Sequence, residues 1–238
     1  GVEQRKKLKR KSRHPDVLNM TATPIPRTLS MVVYGDLDVS VIDTMPAGRQ
    51  KVATKVLPET DRDKAHALIE KELKAGHGIF VVYPVIEESE MEGVRDARTM
   101  ASHLQTSVFP GYRISLLHGR MNAREKEDVM YAFRNGGIDI LVCTTVIEVG
   151  IDVPRATMIV VENAERFGLS QLHQLRGRVG RGRLPSTCLL LTSERKTTLA
   201  SRRLRIMEKT TDGFVIAEED LRIRGVGDML GIRQSGLP

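Results

Sequence analysis

The sequence predicts an α/β fold, a parallel sheet with helices on both faces, and three observations predict it. Short apolar runs recur at residues 17–20, 52–57, 79–84, 114–117, 138–143, 158–161 and 188–191. They show little polar alternation, as strands buried on both faces require. Between them, segments of helical period occupy 61–75, 94–105 and 122–135; strand then helix, repeated, implies parallel pairing. Finally, 40% hydrophobic against 28% charged residues in a chain of 238 is a globular composition, which excludes disorder over most of the length.

The elements follow in order. Residues 1–47 hold a basic stretch, the strand at 17–20 and a turn, and Met45-Pro46-Ala47-Gly48 marks a linker. Residues 48–193 form the regular α/β unit. Its clearest helix is 122–135, where Asn122 and Glu125 form a capping box, Val129, Met130 and Phe133 share a face, and Gly136-Gly137 ends the helix. The acidic run at 87–92 has no ordered ligand spacing and reads as a solvated loop. Residues 194–238 form a third region, helical over 194–209 and Gly-rich over 213–236.

The formal charge of +7 is unevenly placed. Residues 1–20 carry a net +5 and residues 171–205 a net +8, which leaves −6 on the other 183. Clustered cations release counterions from a polyanion, so both segments are candidate nucleic-acid surfaces, although a basic run can equally be a solvated face. The longest uncharged apolar stretch, 79–86, is too short to span a bilayer, so no membrane partner is expected. Cys143 and Cys188 lie inside apolar runs, which argues against a disulfide scaffold and for a reducing, cytoplasmic setting. The six histidines show no metal-ligand spacing, so no metal site is expected.

Four strings carry candidate chemistry. In Gln174-Leu175-Arg176-Gly177-Arg178-Val179-Gly180-Arg181, a helix would project Arg178 and Arg181 on one side, with Gly177 and Gly180 keeping the neighbouring surface bare. Two forked guanidiniums aimed together suit the spread charge of a phosphoryl group in transfer. A second string runs from a buried strand through Thr144 and Thr145 to Gly150-Ile151-Asp152-Val153-Pro154. The threonines suit a phosphate at a strand's carboxyl end, and Asp152 suits a ribose hydroxyl or a plain turn. His118-Gly119-Arg120 leaves another strand end, where Arg120 suits a phosphate. Thr21-Ala22-Thr23-Pro24 reads as a stiff hydrogen-bonding linker or an ordinary turn.

In this order the strings resemble the motor core of superfamily 2 helicases: Thr21-Ala22-Thr23 the third motif, Thr144 to Asp152 the fifth, Gln174 to Arg181 the sixth. With Val33-Tyr34-Gly35-Asp36-Leu37-Asp38, Glu162-Asn163-Ala164-Glu165-Arg166-Phe167 and the closing Gln234-Ser235-Gly236-Leu237-Pro238, the whole chain resembles the RecG family of bacterial DNA helicases. The Mfd family of transcription-repair coupling translocases shares only the sixth motif and the closing segment. A non-catalytic nucleic-acid-binding module is the alternative of another class.

The resemblance implies a RecA-like second motor domain and a C-terminal helical or hairpin translocation motif. It implies an ATP-dependent helicase, using ATP with Mg2+, that regresses stalled replication forks and migrates branched junctions in recombination and repair. By it Arg178 and Arg181 are arginine fingers, Gly150 and Asp152 border ATP, and Arg120, Thr144 and Thr145 grip DNA. Thr21, Thr23, Gln174, Arg222, Arg224 and Gln234 couple nucleotide state to DNA movement. The implied partners are forked DNA, the first motor domain and wedge domain of the same chain, and single-stranded-DNA-binding protein. No Gly-Lys and no Asp-Glu dipeptide occurs, so the phosphate loop and the Mg2+-binding acidic box are absent. With Gly1 rather than Met in first place, the chain reads as an excised piece of a bacterial cytoplasmic protein that does not hydrolyse ATP alone.

Overall fold

Six of the apolar runs become strands, and the central ones bury both faces. The computed structural model describes residues 18, 20, 38–42, 44, 50–84, 90–144 and 153–225. Its strands are β1 (Ala53–Pro58), β2 (Gly78–Tyr83), β3 (Ile114–Leu117), β4 (Ile140–Thr144), β5 (Ala156–Val161) and β6 (Thr187–Thr192). All pairings are parallel, in the order β1-β6-β5-β2-β4-β3. Central β2, β4 and β5 are buried at every residue, whereas edge strand β1 begins with exposed positions. The Val56 N–H of β1 donates to the Glu208 carboxylate at 2.8 Å, which blunts that edge against further pairing.

The helices are α1 (Arg62–Lys74), α2 (Glu90–His103), α3 (Ala123–Arg134), α4 (Leu169–Arg176), α5 (Thr198–Lys209) and α6 (Gly213–Arg224). Strand period two sends alternate residues to opposite faces. Ile79, Val81, Ile140, Val142 and Met158 meet α1 and α2 through Ala65, Ile69, Leu73 and Ala97. Phe80, Val82, Leu141, Cys143 and Ile159 meet α3 to α6 through Phe133, Leu172, Leu204 and Ile216. Phe80 and Phe133 pack edge to face with centroids 4.8 Å apart. Both cysteines are free and buried, and burial pushes the Cys188 thiol up to about 12.

The structure departs from the sequence pattern in five places. Of the strand expected at 17–20, the described residues Leu18 and Met20 are exposed and irregular, and the described sheet ends at β1 and β3 without pairing to them. Helix α2 starts at Glu90, inside the expected acidic loop, and its last turn widens into a π-turn over Leu104–Val108. There Phe109 N–H donates to Leu104 C=O at 2.7 Å and both side chains bury. Helix α5 starts at Thr198 rather than 194, because Thr197 Oγ1 accepts the Ala200 N–H at 3.1 Å and caps it. The Gly-rich segment is helical as far as Arg224, since Asp212 Oδ1 accepts the Phe214 N–H at 2.8 Å. Lastly, Arg178 and Arg181 are not helical, because α4 stops at Arg176.

Candidate functional site

Because every strand runs the same way, the sheet has a carboxyl edge and an amino edge, and the candidate residues divide between them. At the carboxyl edge β4 delivers Thr144, buried and in register with Tyr83 of β2. Strand β3 ends just before His118, and Arg120 follows, exposed. Burial lowers the pKa of His118, and Arg98, Arg120 and Lys126 lower it further against the pull of Glu125. Its Nδ1 is enclosed without a hydrogen-bond partner among the described residues. Arg98, Arg120 and Lys126 thus make the field around this strand end positive, which suits an anion.

The same edge is braced by Glu162, the first residue after β5. Arg62 grips it fork to fork, Nη1 to Oε1 at 2.9 Å and Nη2 to Oε2 at 3.0 Å, and the Tyr83 hydroxyl reaches Oε1 at 3.5 Å. The bond to Glu162 raises the pKa of Arg62, and burial raises that of Tyr83. Asn163 follows in the left-handed region at φ 48°, which turns the chain towards α4.

Helix α4 carries the chain back across the sheet, so the turn beyond it stands at the amino edge. Gly177 caps α4, and the Arg178 N–H donates to Leu175 C=O at 2.9 Å, tightening the last turn. Gly180 has φ +72°, and a Cβ there would lie 2.5 Å from Val52 Cγ2; one on Gly182 would lie 3.1 Å from the Pro154 carbonyl. The glycines therefore let the turn close onto the starts of β1 and β5; they do not keep a helix face bare. Arg178 is 8% exposed. Arg181 is exposed and donates from Nε to Gly177 C=O at 3.2 Å. Burial lowers the pKa of Arg178, and the neighbouring Arg181 lowers it further. Two guanidiniums held together, one partly dehydrated, favour an anion of spread charge.

The Gly182 contact sets this turn beside Pro154, just ahead of β5. Asp152 lies outside the described residues, as do Gly150, Thr145, Thr21, Thr23 and Gln234. Gln174 is exposed on α4. Arg222 is exposed on α6 and pairs with Glu219 at 2.6 Å, and Glu219 also pairs with Arg202 of α5 at 2.9 Å. Arg224 is the last residue of α6. Thus the structure places Arg120 and Thr144 at one edge and Arg178 and Arg181 at the other. Among the described residues no group of three or more His, Cys, Asp or Glu can hold a metal ion, and no helix is long and apolar enough to cross a membrane.

The motif reading passed over Arg176, which is 4% exposed. Its Nη1 donates to Met207 C=O at 3.0 Å and Thr210 C=O at 2.8 Å, and its Nη2 to His173 Nδ1 at 3.2 Å. Burial pulls the pKa of His173 down to about 4, with Arg176 adding to the effect, so the ring is neutral and can accept. A signal was available: Leu169 and Leu172 set an apolar stripe on which position 176, four beyond Leu172, also falls.

A model of the helicase conserved C-terminal domain matches residues 63–183. The ATP-dependent DNA helicase RecG of Synechocystis sp. is 53% identical over all of this chain, which covers 28% of that relative. The RecG of Bacillus subtilis is 50% identical, again over the whole chain and 35% of its own length. A solved structure of RecG bound to a three-way DNA junction superposes with TM-score 0.75 at 45% identity, over 91% of this chain and 29% of the other. The second domain of the DEAD-box helicase Mss116p, at 17% identity and TM-score 0.50, shares the fold alone. The chain spans about a third of the length of the curated relatives it matches. With the helicase C-terminal domain over half of its residues and about half identity from end to end, the chain belongs to the RecG family of helicases.

Proposed function

We propose that this chain supplies the second motor domain of an ATP-dependent double-stranded-DNA translocase that regresses forks and migrates branched junctions in a bacterial cytoplasm. The observation that carries the reading is the division of charge between the two edges of one sheet. Arg178 and Arg181, beside Pro154, form the nucleotide-facing edge, while Arg98, Arg120 and Thr144 form the DNA-facing edge. One rigid sheet between two such edges converts closure on one ligand into displacement of the other.

Arg178 and Arg181 fit the outermost phosphate of a nucleotide held by another domain. Their mutual repulsion and the dehydration of Arg178 are relieved when charge builds on transferring oxygens. ATP with Mg2+ supplies the phosphoryl group and the hydrolysis free energy; this chain's own residues neutralise charge and transmit movement. The partners on this reading are forked DNA, the first motor domain and wedge domain of the same protein, and single-stranded-DNA-binding protein.

Replacing Arg181 with alanine in a protein carrying both motor domains tests the reading. A motor loses DNA-stimulated ATPase by about 10³-fold, the usual worth of an arginine finger, and keeps its DNA affinity. A binding module instead loses affinity and shows a shallower dependence on salt.

A further inference from the structure

Helix α4 is fastened to the α5–α6 pair at both of its ends. At its first turn Ser170 Oγ donates to Asp220 Oδ2 at 3.0 Å, and Asp220 lies in α6 with 2% exposure. A carboxylate there also faces the positive end of the α4 dipole. At its last residue Arg176 donates to the carbonyls of Met207 and Thr210, where α5 ends and the connection to α6 begins. A cation is favoured at that helix end for the same reason, with the sign reversed. The bond to Met207 is buried and the other two are partly buried, so loosening these contacts within the packed interface leaves a guanidinium and two carbonyls short of partners. By contrast, the bond between α5 and α6 through Arg202, Glu219 and Arg222 is at the surface and can be remade in solvent.

We propose that Arg176 and Asp220 are positioning residues that make α4, the turn bearing Arg178 and Arg181, and the α5–α6 pair a single rigid body. Displacement of the arginine turn when nucleotide binds then reaches α6 undiminished. Neither residue need touch nucleotide or DNA; Arg176 acts through Arg178, two positions further on, and Asp220 acts through Ser170. The inference rests on the motor function proposed above.

The test uses a protein with both motor domains, carrying Arg176→Met, Arg176→Lys or Asp220→Asn. Three quantities are read on a branched duplex: kcat, KM for ATP, and base pairs moved per ATP. If wild type shows no DNA-stimulated hydrolysis, the motor reading itself fails, and with it this inference. With an active wild type, Arg176→Met lowers kcat roughly ten- to hundredfold, the effect of misplacing a reacting group by about 1 Å, while KM for ATP stays near wild type. Arg176→Lys recovers part of the loss, and Asp220→Asn lowers base pairs moved per ATP about twofold or more on the same geometric ground. That ratio is independent of the folded fraction, so a purely structural role leaves it unchanged. An unchanged ratio in both Arg176→Lys and Asp220→Asn overturns the proposal even if Arg176→Met does not fold, as does wild-type kcat in a folded Arg176→Met.

Discussion

Replacing Gly180 with alanine should destabilise the chain through two separable effects. The backbone there has φ +72°, which costs an L-residue about 1–2 kcal/mol. The new methyl would also lie 2.5 Å from Val52 Cγ2, and overpacking of this kind costs about 1–3 kcal/mol. Together they amount to about 2–5 kcal/mol, which for a chain of this size lowers Tm by about 5–15 °C. Thermal unfolding followed by circular dichroism measures the total, and a double-mutant cycle with Val52→Ala divides it. In the Val52→Ala background the methyl has room, so Gly180→Ala should cost only the backbone share of about 1–2 kcal/mol. An equal cost in both backgrounds would show that Val52 is not the obstacle. No loss of Tm in either would refute the left-handed turn, and with it the reason that Arg178 and Arg181 stand at the amino edge.

On the proposed function the 238-residue chain by itself should show no DNA-stimulated ATPase, since its arginines would stabilise charge on a phosphate that another domain must hold; measurable turnover by the purified chain contradicts this. His173 has a folded pKa of about 4 against an ordinary 6.5, so the unfolded chain binds its proton more readily. Its share of stability is therefore complete above about pH 6.5 and is lost as pH falls towards 4, and His173→Asn, which keeps an acceptor for Arg176, should flatten the dependence of Tm on pH over that window. Truncating Glu162 to alanine leaves Arg62 without its bidentate partner and should cost about 3 kcal/mol, read as a lower urea midpoint at unchanged slope.

Most of the sheet was legible in the sequence because a strand buried on both faces needs an apolar residue at nearly every position. The runs at 52–57, 79–84 and 138–143 could take no other role beside helices of clear period, and they became β1, β2 and β4 within two residues or so. The capping box of α3 was legible because its partners are three residues apart: the Asn122 N–H donates to the Glu125 carboxylate at 2.8 Å and the Glu125 N–H to Asn122 Oδ1 at 2.9 Å. The arginine string was harder to read. Its spacing suits a helix, and the path of the turn beyond Gly177 is set by Val52 against Gly180 and Pro154 against Gly182, which are far away in the chain.

By itself, then, the sequence determined the α/β class, the helicase motifs and the candidate arginines, because local patterning and side-chain chemistry are properties of neighbours. Only the tertiary structure decided that those arginines stand at the opposite edge of the sheet from Arg120 and Thr144. It alone also showed that Arg176 and Asp220 bind α4 to α5 and α6. Strand order and crossover direction set which ends meet, and a buried guanidinium finds its acceptors in whatever helix end the packing brings to it. Neither is encoded within any one stretch of residues.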